Sequence, residues 1–252
     1  VNKNALKIRE ITVSAVMLAI ALVMRTASVS LPIAGAPVMR VSFSGPFAMF
    51  PALAFGPVYG GIVFGLVDVL GFLIRPQGPY IPWLTVVAVI QGFMAGLMWK
   101  FVVKSGEKSI FRALICVFAA TALYGIINLG VTHGMPGSIY TRWLSGIGKK
   151  TIYASIGLII IGAFGLVMLV IGRFTPVLFN KLFFAAGIPA LLATTVNTLI
   201  LRAAFQLPDK SFLLLWIPRI TESIVIMFYN VYVLMILVKI YEMAKTKVKI
   251  FS

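Results

Sequence analysis

The sequence predicts an all-α integral membrane protein, and three observations carry that prediction. Of 252 residues, 61% are hydrophobic and 11% are charged, where a soluble domain carries about 25% charged residues. The apolar residues gather in long charge-free stretches, and a helix of about 20 such residues crosses the hydrocarbon while satisfying its own backbone hydrogen bonds. No stretch alternates strictly over about ten residues, as a barrel strand would. A soluble enzyme, a secreted disulfide scaffold and a disordered segment are excluded, because 22 basic and 6 acidic side chains cannot solvate so much apolar surface.

Eight candidate segments follow in order, at about 9–28, 45–56, 58–74, 83–104, 111–132, 152–172, 183–205 and 214–241. The first opens after Lys3, Lys7 and Arg9. Within it Ala15 and Ala19 stand four apart beside Ser14 and Ala21, which makes one face smooth enough for a partner backbone to approach closely. Its basic start is also compatible with a signal peptide, but Arg25 interrupts the region where cleavage would fall.

Residues 41–67 carry no charge for 27 residues, yet Gly56 and Pro57 cut the run and Gly45, Pro46 and Pro51 lie upstream. The expectation is two segments joined by a tight turn, the first too short for a straight span unless it tilts or is buried in protein. Gly61 with Gly65, and Gly92 with Gly96, repeat the small-residue spacing, read here as packing within the chain. Residues 75–85, RPQGPYIPWLT, form a stiff link in which Tyr80 and Trp83 serve either as an interfacial belt or as ring faces for a flat heteroaromatic ligand. Cys116 lies in the fifth run and is expected to pack there, and His133 is expected in an outer loop. The last runs contribute Thr194, Thr195, Asn197 and Thr198, then Arg219 and Glu222. Together with Gln91 and Asn128, these amides and hydroxyls either bond between helices or read a ligand edge.

The net charge of +16 would suggest nucleic acid in a soluble protein, but here the charges sort by side of the membrane. With the N-terminus in the cytoplasm, Lys3, Lys7, Arg9, Lys100, Lys104, Lys108, Arg112, Arg173, Lys181, Lys239, Lys245, Lys247 and Lys249 lie inside. Those are 13 of the 22 basic residues. Nine remain toward the outer side, and six of them are Arg25, Arg40, Arg75, Arg142, Arg202 and Arg219. Only Asp68, Asp209 and Glu222 are available there as counter-charges. Unpaired arginine at membrane depth is costly, so these residues either anchor at the interface or hold an anionic ligand from outside. No catalytic or metal-binding constellation is present: there is one histidine, no paired ligands, no G-x-S-x-G and no phosphate-cradling loop. Neither enzymatic activity nor a metal is expected.

The run ITVSAVMLAIALVMR, then RVSFSGPFAMFPALAFGPVYGGIVFGLVDVLGFLIRPQGPYIPWLT, closing with QGFMAGL, resembles the substrate-binding (S) components of energy-coupling-factor (ECF) vitamin transporters. Within them it is most similar to the folate-family branch, as are VNTLILRAAF and SFLLLWIPRITESIV near the C-terminus. The resemblance covers about 10–104 and 185–242. It implies a six-helix S-component core with an outward pocket, and no cofactor in this chain. It also implies a transmembrane scaffold subunit docking at Ala15 and Ala19, with ATP used by two partner ATPase subunits. Transport in the family is attributed to toppling of the S component. This chain departs at residues 105–182, where two more apolar runs predict an inserted helical hairpin, and at Pro82, Trp83, Leu84 and Thr85, where the branch has P-G-F-T.

The resulting expectation is a single membrane domain, 1–252, with its core at about 10–104 and 183–242. The chain is expected in a prokaryotic cell membrane, multi-pass, with both termini cytoplasmic and no nucleic-acid partner. Folate is the favoured cargo; the alternatives are another vitamin such as pantothenate or riboflavin, or an autonomous proton-coupled transporter using Asp68 and Glu222. Arg25, Arg40, Arg75 and Arg219 are the candidates for a carboxylate tail, and Tyr80, Trp83 and Phe43 those for ring stacking. Gln91, Asn197, Asp68 and Glu222 are the candidates for the ring edge.

Overall fold

A computed structural model describes residues 3–33, 36–76, 78–104, 106–134, 177–206 and 212–250, with single positions at 159, 162, 163 and 166. Its helices are α1 (Lys3–Thr26), α2 (Gly45–Ala54), α3 (Pro57–Ile74), α4 (Pro82–Lys104), α5 (Glu107–Gly134), α6 (Val177–Ala204) and α7 (Phe212–Ile250). Among the described residues, four stretches are long and apolar enough to cross a membrane: α3, α4, α6 and Pro218–Ala244 of α7. The chain is a multi-pass membrane protein.

One element departs from the all-helical expectation. Between α1 and α2 the chain forms an antiparallel hairpin, β1 (Val29–Ile33) and β2 (Ala36–Val41). Its register pairs Val29 with Val41 and Ser30 with Arg40, then shifts between Leu31 and Ile33. Pro32 lies at that shift and brings no N–H to a ladder.

The 41–67 stretch divides where proline and glycine require it. Pro46 fits the first turn of α2, where an N–H would have no intrahelical partner. The Phe55 N–H closes the far end on the Pro51 carbonyl. Gly56 then takes φ +110°, a backbone state that side chains disfavour, and Pro57 opens α3. With 10 residues, α2 reaches about 15 Å, half the hydrocarbon thickness. It is tolerated because Pro46, Ala48, Met49, Phe50, Pro51, Ala52 and Leu53 are all buried, which places its ends in protein and not in lipid.

α1, α3, α4 and α7 pack on α2, and α6 packs on α4 and α7, which makes a six-helix core. Phe50, Val102, Leu182, Val231 and Leu234 meet at its centre, drawn from α2, α4, α6 and α7. α3 and α4 cross at glycines: a Cβ on Gly60 would collide with the Gly92 carbonyl, and one on Gly96 would meet Pro57 backbone at 2.7 Å. The small-residue pairs of these two helices are therefore internal packing, as expected. On α1, by contrast, Ala15 and Ala19 are exposed.

The segment expected as an insertion begins with α5, which lies against α6, with Phe118 and Phe183 rings 6.3 Å apart. Gly162 packs on Ala122, so the second arm of the expected hairpin touches the first at that point; the rest of 152–172 falls outside the described residues. Two expectations change here. Cys116 is exposed on α5 and not packed, because the face of α5 that meets the core is the one bearing Phe118. His133 belongs to the last turn of α5, which continues to Gly134 because nothing before Pro136 ends a helix.

Candidate functional site

At the end of the bundle where α1, α3 and α6 terminate and α4 and α7 begin, the core helices enclose a cavity of about 330 Å³. That is the low end of the range for small-molecule sites. Phe64, Phe72, Tyr80 and Phe205 supply rings to its wall, and Arg25, Asp68, Gln91, Asn197 and Arg219 supply its polar groups.

Three helices and a loop are tied together along one side. Arg25, in the last turn of α1, places Nη2 2.8 Å from Asp68 Oδ1 on α3. Gly71 makes this possible, since a Cβ there would overlap the Arg25 side chain. Thr85 Oγ1 of α4 donates to Asp68 Oδ2 at 2.8 Å, and the Tyr80 hydroxyl meets Thr85 Oγ1 at the same distance. Threonine has a single hydroxyl proton, and it goes to Asp68; Tyr80 must therefore donate to Thr85. The direction of the chain leaves the lone pairs of the Tyr80 oxygen available beside the cavity. Tyr80 also tilts against Phe72, with ring centroids 5.0 Å apart.

The opposite side is unfinished. Asn197 Oδ1 of α6 and Arg219 Nη1 of α7 are buried and have no hydrogen-bond partner, and Arg25 Nε is in the same state. Such groups are costly to leave unmade inside a protein, and more so in a membrane. Arg25 is paired with Asp68, whereas no salt bridge within 4.0 Å joins Arg219 to Glu222, one turn further along α7. Arg219 therefore contributes a guanidinium that no contacting carboxylate balances. A cavity with one such cation, a neighbouring amide and aromatic walls suits a flat molecule bearing a carboxylate or phosphate.

Of the residues singled out from the sequence, Arg25, Asp68, Tyr80, Gln91, Asn197 and Arg219 line this cavity. Five others do not join that lining. Arg75 Nη1 instead donates to the carbonyls of Thr26, at 2.6 Å, and Ser28, at 3.0 Å, closing the C-terminal end of α1. Phe43 packs edge-on against Tyr229, with ring centroids 5.0 Å apart. Trp83 is 67% exposed on the outside of α4, as an interfacial ring would be. Glu222 follows Arg219 by one turn of α7, and Arg40 lies on β2 opposite Ser30.

The hydroxyls of α6 prove structural. Thr194 bonds Ser223 of α7, Thr195 accepts from the Trp216 indole, and Thr198 donates back to the Thr194 carbonyl. Sequence reasoning missed Phe64, Phe72, Phe205 and Thr85. Phe64 and Phe72 share a face of α3 with Asp68 at helical spacing, a signal that was present but indistinct among 19 phenylalanines.

Residues 5–172 match the family described as ECF-type riboflavin transporter, S component. A curated relative, the folate transporter FolT of Clostridium novyi (strain NT), is 28% identical over 119 residues, which are 47% of this chain. The match spans 62% of that relative's length. No solved structure matches the chain.

Proposed function

The chain belongs to the S-component family of ECF-type transporters, and from that membership we propose that it captures a vitamin outside the cell and releases it through an ECF scaffold and two ATPase subunits. In this reading the chain itself uses no cofactor, and ATP is consumed by the partners. Both termini face the cytoplasm, where 10 of its 13 lysines then lie. The cavity opens on the other side.

Folate is the cargo that the cavity chemistry favours. The observation that carries this is the buried, unpartnered Nη1 of Arg219 in a ring-lined chamber. Folate pairs a flat pterin with carboxylates, so it would satisfy both the rings and the guanidinium. The similarity to a folate transporter supports the same choice. Riboflavin is the second reading, favoured by the description of the matching family. Its flat ring suits the walls equally, but it has no carboxylate to set against Arg219.

An autonomous proton-coupled transporter is less well supported. Asp68, one of the two acids such a mechanism needs, has one oxygen on Arg25 and the other on Thr85, so both are already engaged within the protein.

The test is direct. The purified chain is titrated with folate and with riboflavin, and mass spectrometry identifies whatever small molecule copurifies. Tight folate binding with riboflavin weaker supports the reading; tight riboflavin binding with none for folate overturns it.

A further inference from the structure

We infer that the Arg25–Asp68 pair limits the charge of the cargo: it cancels one of the cavity's two guanidiniums, so that the chamber takes a single carboxylate and any second one stays in solvent. This rests on the proposed capture of a folate-type molecule and specifies how much of it the chamber grips.

The pair is fixed from several directions. Both oxygens of Asp68 are engaged, by Arg25 Nη2 and by Thr85 Oγ1, each at 2.8 Å. Thr85 is in turn held by the Tyr80 hydroxyl. The Arg25 stem lies over Gly71, where any side chain would displace it. The two side chains are only 18% and 21% exposed, so solvent screens their attraction weakly. A second carboxylate approaching Arg25 would meet the negative charge of Asp68 beside it, which opposes its binding even where Arg25 Nε is free.

Arg25 and Arg219 are the cations among the lining residues; Arg75, outside the lining, has its Nη1 on two backbone carbonyls. Arg219 remains, with Nη1 unpartnered, and Glu222 makes no salt bridge to it within 4.0 Å. The net charge of the described lining is thus that of one guanidinium, matched by one carboxylate. Specificity of this kind works by making the wrong charge state costly, not by adding contacts to the right one.

The experiment compares pteroate, with one carboxylate, and folate, with two, by equilibrium titration of the full-length purified chain and of Asp68→Asn. The wild type is expected to bind the two within about threefold of each other. Asp68→Asn, which frees Arg25, is expected to favour folate by about tenfold or more. A wild-type preference for folate of about tenfold or more overturns the inference while leaving folate capture intact, as does an Asp68→Asn ratio equal to that of the wild type. Should Asp68→Asn fail to fold, the wild-type ratio decides alone. Binding of riboflavin with neither pteroate nor folate bound overturns the folate reading, and the charge limit with it.

Discussion

Asn197 and Arg219 line the same cavity from two packed helices, and each keeps a buried polar atom without a partner: Oδ1 of the amide and Nη1 of the guanidinium. The threonines on the same helix as Asn197 are fully engaged. Thr194 meets Ser223, Thr195 meets Trp216 and Thr198 turns back on its own backbone. On α6 the hydroxyls that meet α7 are satisfied, whereas Asn197 and Arg219, which border the chamber, keep open groups.

Arg219→Gln should therefore weaken binding of a carboxylate ligand by about 10- to 100-fold, the worth of a charge-assisted hydrogen bond. Arg219→Met should do the same while raising the unfolding temperature of the ligand-free protein, because it removes a buried charge that nothing in contact balances. Titration and thermal unfolding in detergent check the two effects separately. A ligand affinity unchanged by either substitution would remove Arg219 from the site.

The α3–α4 crossing gives a prediction about stability alone. Gly60→Ala sets a methyl group against the Gly92 backbone, which cannot yield as a flexible side chain would. Overpacking of this sort costs about 1 to 3 kcal/mol. Gly130, exposed on α5 with nothing within 4 Å of a built Cβ, is the control. Gly130→Ala should be neutral or stabilising by about 0.5 kcal/mol, as alanine is the better helix former. Equal thermal shifts for the two variants would contradict the crossing.

How far the fold could be read in advance follows from which signals are local. The break at Gly56 and Pro57, the shortness of α2 and the glycine pairs of α3 and α4 are all written in adjacent residues, and each appears where expected. The hairpin of β1 and β2 is short, with a proline inside β1, and its alternation is too brief to stand out between helices. Charge and exposure were harder. Arg25 and Asp68 are 43 residues apart, so which arginine the acid would neutralise depended on how α1 and α3 pack. Arg75 was read as a candidate for the ligand's carboxylate tail and not as the cap of α1, because its partners at Thr26 and Ser28 are backbone carbonyls with no sequence signature.

Arg75 accordingly separates anchoring from binding. Arg75→Met removes two hydrogen bonds from the end of α1, and because the group is largely exposed the loss should be about 1 kcal/mol. The variant should unfold a few degrees lower and bind ligand within about threefold of the wild type. A loss of affinity comparable to that of Arg219→Gln, without a thermal shift, would return Arg75 to the ligand.

The outer face of α1 supplies the last prediction. Ala15 and Ala19 are exposed while Ser14 and Ala21 are buried, so the helix turns its smooth stripe away from its own bundle. Small residues of this kind let a second helix approach closely in a membrane, where packing replaces the hydrophobic effect as the source of association. Ala15→Trp with Ala19→Trp should leave the unfolding temperature and ligand affinity of the isolated chain nearly unchanged, because neither side chain enters the core. Uptake by the chain assembled with an ECF scaffold and its ATPases should be abolished. If ligand affinity falls together with uptake, the stripe supports the chamber and is not the surface on which the scaffold docks.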